Sequence, residues 1–235
     1  MSVFHFQQFS VLQQQSAMKV CTDAVLFGAM APVKKDASVL DIGAGTGLLS
    51  LMVAQLGAAR ITAVEITEEA FVEAKINFQQ SPWPDRLAVV HQPIQDYALT
   101  VDRPYDLIIC NPPFFDNHYK TDSVLKTTAR HTDNLAFTDL IRIAEQLLSP
   151  QGLFYVLIPV HASAKLVALA LAVDLHVLAQ TEFRAYQHSN AKVTALLFGR
   201  QPTSTAIKIV TIYESPSVYS QESAGYLAEF LLRFA

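Results

Sequence analysis

With 235 residues, 51% apolar and 16% charged, the chain is long enough for one domain that buries about 70% of its unfolded surface, which removes any need for disulfide staples or a structural metal. Its longest apolar helical run, the eight residues Leu166 to Val173, is too short for the roughly 20 that span a bilayer, and the first residues lack the basic and apolar regions of a secretory signal. A net charge of −4 argues against a general polyanion coat and leaves room for a local basic patch, while Cys21 and Cys110, with no metal-type spacing, read as reduced thiols of a cytoplasmic protein.

A short helix is expected over residues 24–30, with Thr22 or Asp23 as its N-cap. From residue 38 onward, apolar runs alternate with helix-period segments, the pattern of βαβ units around a parallel sheet. The first strand covers 38–42, and the helix at 48–56 stops at Gly57. A second strand at 60–66 leads to a helix at 68–80, whose first turn carries Glu68 and Glu69 where the helix dipole favours negative charge. Pro82 and Pro84 cannot continue that helix, because each lacks an amide donor and clashes with the preceding turn. Strands follow at 87–91, 105–110 and 153–159, the last preceded by a helix at 137–148 and a turn at 149–152. After a helix at 162–173, the runs 176–185 and 192–198 are joined by a loop too short for a helical crossover and should pair antiparallel. A linker at 201–205, a strand at 207–213 and a helix at 221–234, with Tyr226, Leu227, Phe230, Leu231 and Phe234 on one side, complete a single domain over residues 1–235.

The segment Asp41-Ile42-Gly43-Ala44-Gly45-Thr46-Gly47 puts glycines at alternate positions between a strand and a helix, where bare backbone can approach a ligand at a helix N-terminus. A dinucleotide loop would carry a glycine or alanine at position 48, and Leu48 stands there instead. Asp41, ahead of the first glycine, is a poor neighbour for a pyrophosphate and an acceptable one for a positively charged ligand. Glu65 ends the second strand, with Ile66 beside it, where a carboxylate would accept from a ribose diol; Asp96 follows the third strand, where it would accept from an adenine amine. Loop, Glu65 and Asp96 at consecutive strand ends resemble the class I S-adenosylmethionine-dependent methyltransferases. That resemblance implies an α/β, Rossmann-like fold: a seven-stranded, mostly parallel sheet with a C-terminal antiparallel hairpin and helices on both faces. It implies S-adenosyl-L-methionine as cofactor, held by Asp41, Gly43, Ala44, Gly45, Gly47, Glu65, Ile66, Asp96 and Asn111.

Tyr105 to Cys110 runs straight into Asn111-Pro112-Pro113-Phe114 at the mouth of the sheet. Two prolines stiffen the turn and, lacking donors, leave the Asn111 amide and the Pro112 carbonyl exposed as acceptors. Two hydrogen bonds accepted from a nucleobase amine would favour its pyramidalisation as methyl transfer begins, and Phe114 would stack on the ring. The tetrapeptide resembles the motif of methyltransferases acting on amines conjugated to a π-system: adenine N6, guanine N2 and the glutamine side-chain amide. Asn111, Pro112, Pro113 and Phe114 are therefore the candidate catalytic residues.

Phe4-His5-Phe6-Gln7-Gln8-Phe9-Ser10-Val11 and the stretch from Ala17 to Ala29, together with Ala129-Arg130-His131 and Ala191-Lys192-Val193, are similar to segments of the bacterial tRNA(Val) (adenine-37-N6)-methyltransferase family, although Val193-Thr194 replace an expected arginine-valine pair. The likeness implies that residues 1–35 cover the cofactor and substrate, with Lys19, Thr22 and Asp23 closing over the cofactor, and that 201–235 form a C-terminal strand-helix extension. Lys120, Lys126, Arg130 and His131, interleaved with Tyr119 on a long loop, and Lys192 beyond it, suit contacts to RNA phosphates and an unstacked base. Asp116, Asp122 and Asp133 on the same loop leave an ordinary solvated loop as the alternative, although a loop of this length in a compact domain favours a binding role, and His131 has no partner at ligand spacing, so no metal is expected.

The implied activity is methylation of the N6 amine of adenine 37 in tRNA, with no DNA, membrane or obligate protein partner. Guanine N2 of ribosomal RNA and a protein glutamine share the chemistry, but relatives with those substrates usually carry an additional domain for which this chain has no room. A nicotinamide oxidoreductase is opposed by Leu48 and by the absence of a Tyr-x-x-x-Lys constellation, and a catalytically silent binding module by the retained Asn-Pro-Pro-Phe acceptors.

Overall fold

Period-two alternation along the central apolar runs sends successive side chains into two different cores. Val39, Leu107 and Ile109 enter one core, whereas Leu40, Ile42, Ile108 and Cys110 enter the other. A computed structural model describes residues 2–16, 18–112 and 135–235. In chain order its elements are β1 (Val3–His5), β2 (Ser10–Leu12), α1 (Thr22–Ala29), β3 (Ser38–Ile42), α2 (Leu48–Gln55), β4 (Arg60–Glu65), α3 (Glu68–Gln79), β5 (Leu87–His91), α4 (Ile94–Thr100), β6 (Tyr105–Cys110), α5 (Phe137–Leu147), β7 (Leu148–Pro159), α6 (Ser163–Leu171), β8 (His176–Arg184), β9 (Val193–Gly199), β10 (Ile207–Thr211), β11 (Tyr213–Ser215), β12 (Val218–Tyr219) and α7 (Gln221–Leu227).

The main sheet has the order β10-β8-β9-β7-β6-β3-β4-β5. Strands β5, β4, β3, β6 and β7 run parallel, β9 runs against both β7 and β8, and β10 pairs parallel to β8. Because the chain leaves β3 toward β4 and later returns to its other side as β6, the strand order reverses at β3. A crevice opens at such a switch point, at the carboxyl ends of the strands. Residues of α1, α2, α3 and α7 cover one face of the sheet, and residues of α4, α5 and α6 cover the other. β3 is buried at all five positions, as a parallel strand covered on both faces must be.

Several local expectations change. The seven strands of the expected sheet are present, and an eighth, β10, extends it, so the strand placed in the C-terminal extension belongs to the main sheet. The turn expected at 149–152 is instead part of β7, which starts at Leu148 and absorbs the extra residues as a register shift against Tyr105 and Leu107. α4 was not anticipated; Pro93 holds its N-cap position, a role that needs no side-chain period. Helix α1 begins at Thr22 with Cys21 at the N-cap, so neither Thr22 nor Asp23 caps it. The C-terminal helix ends at Leu227 rather than near residue 234. Its following carbonyls are taken by the N-terminal segment: the Gln7 side chain donates to Ala228 and Leu231 at 2.7 and 2.9 Å, and the Gln7 amide donates to Phe230. An isolated bridge from Phe6 to Leu231 completes that seam, and the hairpin of β1 and β2 is thereby fixed beside α7.

Candidate active site

A cavity of about 380 Å3 opens at the carboxyl ends of β3, β4, β5 and β6, within the size range of small-molecule sites. Its floor is the glycine loop, its sides are the ends of β4 and β6, and its remaining wall is the N-terminal arm around Ser16, Lys19 and Val20. Gly45 has a φ of 57° and open space where a Cβ would stand, so the loop presents backbone to the cavity and a side chain there would both strain the chain and fill the cradle.

Glu65 holds the loop in shape. One carboxylate oxygen accepts the Gly45 amide at 2.7 Å, and the other accepts the Ile66 and Thr67 amides and the Thr67 hydroxyl at 2.8–2.9 Å. The second oxygen is therefore saturated, while the first keeps capacity for a ligand hydroxyl. Beneath the loop, Asp41 is fully buried and binds the first turn of α2 through the Ser50 amide and hydroxyl, at 3.1 and 2.7 Å. Burial, with a smaller push from the charge of Glu65, outweighs the lowering by the Ser50 bonds and raises its carboxyl to about 7.

The end of β6 is arranged differently. The Asn111 side-chain oxygen is buried, belongs to a residue of the same cavity wall and has no hydrogen-bond partner among the described residues. An asparagine beside a turn ordinarily bonds the amide two residues on. Here both following positions are prolines, which have no amide to give. An orphaned buried acceptor costs about 1–3 kcal/mol; among the described residues Asp41 Oδ1 and Gln55 Oε1 share this condition, and Asn111 differs from them in lining the cavity.

Two residues that sequence reasoning missed shape the arm. Glu73 on α3 is buried and accepts the backbone amides of Gln14, Gln15 and Ser16 at 2.6–3.0 Å. Asn77, one turn on, exchanges bonds with the Leu12 backbone and donates to the Thr46 carbonyl, tying arm, helix and glycine loop together. Their sequence signal was weak: a polar pair four residues apart reads as a solvated helix face.

A family model described as the methyltransferase small domain matches residues 16–184. A tRNA1(Val) (adenine(37)-N6)-methyltransferase of Flavobacterium psychrophilum is 41% identical over 233 residues, covering 98% of this chain and all of that one. The chain belongs to this family. The class I methyltransferase fold of the family extends to distant structures. A predicted O-methyltransferase from Agrobacterium tumefaciens superposes with a TM-score of 0.67 at 16% identity, covering 86% of this chain and 94% of that one. A glycopeptide N-methyltransferase complexed with S-adenosyl-L-methionine gives 0.55 at 15% identity, covering 77% and 94%.

In this tRNA methyltransferase family member, Lys19, Gly43, Ala44, Gly45, Glu65, Ile66, Asn111 and Pro112 all line the cavity. Gly47 does not: it caps α2 with a φ of 80°, and a Cβ there would come within 2.4 Å of the Phe78 ring, so it serves helix packing. Asp41 acts from beneath the loop and is no part of the cavity wall. Asp96 is exposed in the first turn of α4, and its neighbours Ile94 and Gln95 line the cavity in its place. Thr22 bonds the Tyr213 hydroxyl at 2.9 Å, and Asp23, raised by burial and drawn back by Lys192, faces the β8–β9 loop; neither lines the cavity. Pro113, Phe114, Lys120, Lys126, Arg130 and His131 lie outside the described residues, and Lys192 is exposed. Among the described residues no cluster of three or more potential ligands could hold a metal ion, and no helix is long and apolar enough to cross a membrane.

Proposed function

We propose that this protein transfers the methyl group of S-adenosyl-L-methionine to the N6 amine of adenine 37 in tRNA1(Val), the reaction for which its relatives are named. The observation that carries the reading is the buried, unpartnered oxygen of Asn111 in the wall of the cavity that the glycine loop floors. The cradle at Gly45 and the free capacity of Glu65 fit the cofactor, with Lys19 and Ile66 beside them. When bound, the cofactor supplies an electrophilic methyl group on a sulfonium.

Asn111 would accept one N6–H of the incoming adenine. That bond turns the amine toward the cavity and favours loss of its conjugation with the ring, an interaction strengthened as positive charge develops on nitrogen. Asn111 changes no protonation state in this role; it orients and polarises. Pro112 fixes the backbone next to it, and Phe114 would stack on the base. Lys192, with Lys120, Lys126, Arg130 and His131, would meet RNA phosphates, which position the substrate without reading it. The partner required is tRNA, in the cytoplasm; no DNA, membrane or second protein enters.

Methyl incorporation into an unmodified tRNA1(Val) transcript, compared with one carrying guanine in place of adenine 37, tests the proposal. We expect incorporation into the first and none into the second, with N6-methyladenosine recovered by nucleoside mass spectrometry. Equal incorporation into both transcripts would overturn the substrate assignment.

A further inference from the structure

Outside the cavity, the described residues at the same end of the sheet include a run of aromatic rings. His188 and Tyr186 stack with centroids 5.7 Å apart and planes within 4° of parallel. Tyr186 contacts Tyr213 at 5.9 Å, Tyr213 stacks on Tyr219 at 5.1 Å, and Tyr219 meets Phe234 at 6.0 Å. Arg233 lies over Tyr219 and Phe234, 4.9 and 5.6 Å from the ring centres. The three tyrosines are half-buried, Tyr213 and Tyr219 packing against the edge of the core, while both ends of the run, His188 and Phe234, are exposed.

The topology sets this run beside the cavity. β8 and β10 are parallel to each other, and β8 is related to β7 through β9, antiparallel to both, so the segments leaving Arg184 and Thr211 emerge at the same end of the sheet as Asn111. Thr22 makes the connection local: its hydroxyl bonds the Tyr213 hydroxyl at 2.9 Å, and Lys19 and Val20, two and three residues before it, line the cavity. A hydrophobic brace for the C-terminal segment would bury its rings. This run keeps its ends open, contains three tyrosines and a histidine, and is capped by a guanidinium.

Resting on the functional reading above, we infer that the run from His188 to Phe234 is a stacking platform for unpaired nucleotides flanking the target adenine. Base faces stack on aromatic rings whatever their identity, and an arginine beside the rings adds attraction for both base and phosphate. Stacking is also the interaction this chain needs. Its net charge is −4, and Asp23 lies close enough to Lys192 to offset its charge, so phosphate attraction alone supplies little. The platform holds the loop of the RNA while Asn111 receives the extruded amine.

The test compares Tyr186→Ala and His188→Ala with the unaltered chain and with Tyr186→Phe, which keeps the ring. KM for the tRNA1(Val) transcript should rise roughly 5- to 100-fold in Tyr186→Ala, with cofactor Kd and kcat changed less than about twofold and Tyr186→Phe close to the unaltered chain. A transcript with 2-aminopurine next to position 37 should lose fluorescence on binding the unaltered chain and lose much less on binding Tyr186→Ala. Unchanged KM and unchanged quenching in both alanine variants would overturn this inference alone. Failure of the unaltered chain to methylate the transcript at all would overturn the functional reading, and this inference with it.

Discussion

Glu65 is the last residue of β4 and Asn111 follows the last residue of β6, the two strands that flank β3; both line one cavity, yet their polar atoms are in opposite condition. Glu65 accepts four hydrogen bonds from its own chain, while the Asn111 oxygen is buried and accepts none from the described residues. The glycine loop is therefore braced by a carboxylate before any ligand arrives, with one Glu65 oxygen saturated and the other still open to a further donor. On the acceptor side the Asn111 oxygen is left with an unmet hydrogen bond, which in the proposed reaction the substrate amine would supply. Changes to Glu65 should accordingly appear in cofactor binding, and changes to Asn111 in turnover.

The largest effect should come from Asn111→Ala. Turnover should fall on the order of 100- to 1000-fold, as for loss of a single group aimed at developing charge, with cofactor Kd within about threefold of the unaltered chain. A collapse of cofactor affinity with normal residual turnover, measured by calorimetry and single-turnover methylation, would erase the distinction between the two halves. Glu65→Ala should act in the opposite sense, weakening cofactor binding by roughly 10- to 100-fold, because a charged acceptor is worth about 1.5–3 kcal/mol and the loop loses its brace. Titration calorimetry showing an unchanged Kd would remove Glu65 from the site.

The smallest effect concerns Asp41, which supports the loop from below. Its folded carboxyl, raised to about 7 from an ordinary value of 3.8, binds a proton more tightly in the folded chain than in the unfolded one. Its contribution to stability is therefore fully present below about pH 4, declines as pH rises toward 7, and is flat above that. Melting temperatures of the unaltered chain and of Asp41→Asn, taken from pH 5 to 8, should converge at low pH, with the unaltered chain losing several degrees more on the way up. Parallel curves would show that Asp41 is ionised throughout.

What was legible in the sequence follows the same division. The glycine loop, Glu65 and Asn111 lie at junctions between strands and helices, where local patterning and motif spacing meet, and all three reach the cavity. The Asn-Pro-Pro segment even carries the reason for its orphaned oxygen, since it lacks the amides that would satisfy it. Asp96 failed because placing it required the path of the chain after β5, and α4 started at Ile94 and exposed it. Gly47 failed because only the approach of Phe78, 31 residues along the chain, shows what its missing side chain is for. Glu73 and Asn77 were unreadable for a similar reason: their partners are backbone groups about 60 residues upstream, and nothing in a helical period announces them. The C-terminal helix was overlong because the apolar positions at 230, 231 and 234 continued its period, while Gln7 takes the carbonyls that follow Leu227.

The central claim is that the Asn111 oxygen receives the N6 amine of the substrate. It is tested most directly by a binding cycle with S-adenosylhomocysteine in the site: the unaltered chain and Asn111→Ala, each with a tRNA1(Val) transcript carrying adenine or amine-free purine at position 37. The unaltered chain should bind the adenine transcript roughly 10-fold more tightly than the purine transcript, and Asn111→Ala should bind the two alike, since the lost hydrogen bond is the same one in both arms. Full retention of the adenine preference in Asn111→Ala would contradict the account, because the amine would then be recognised by some other group.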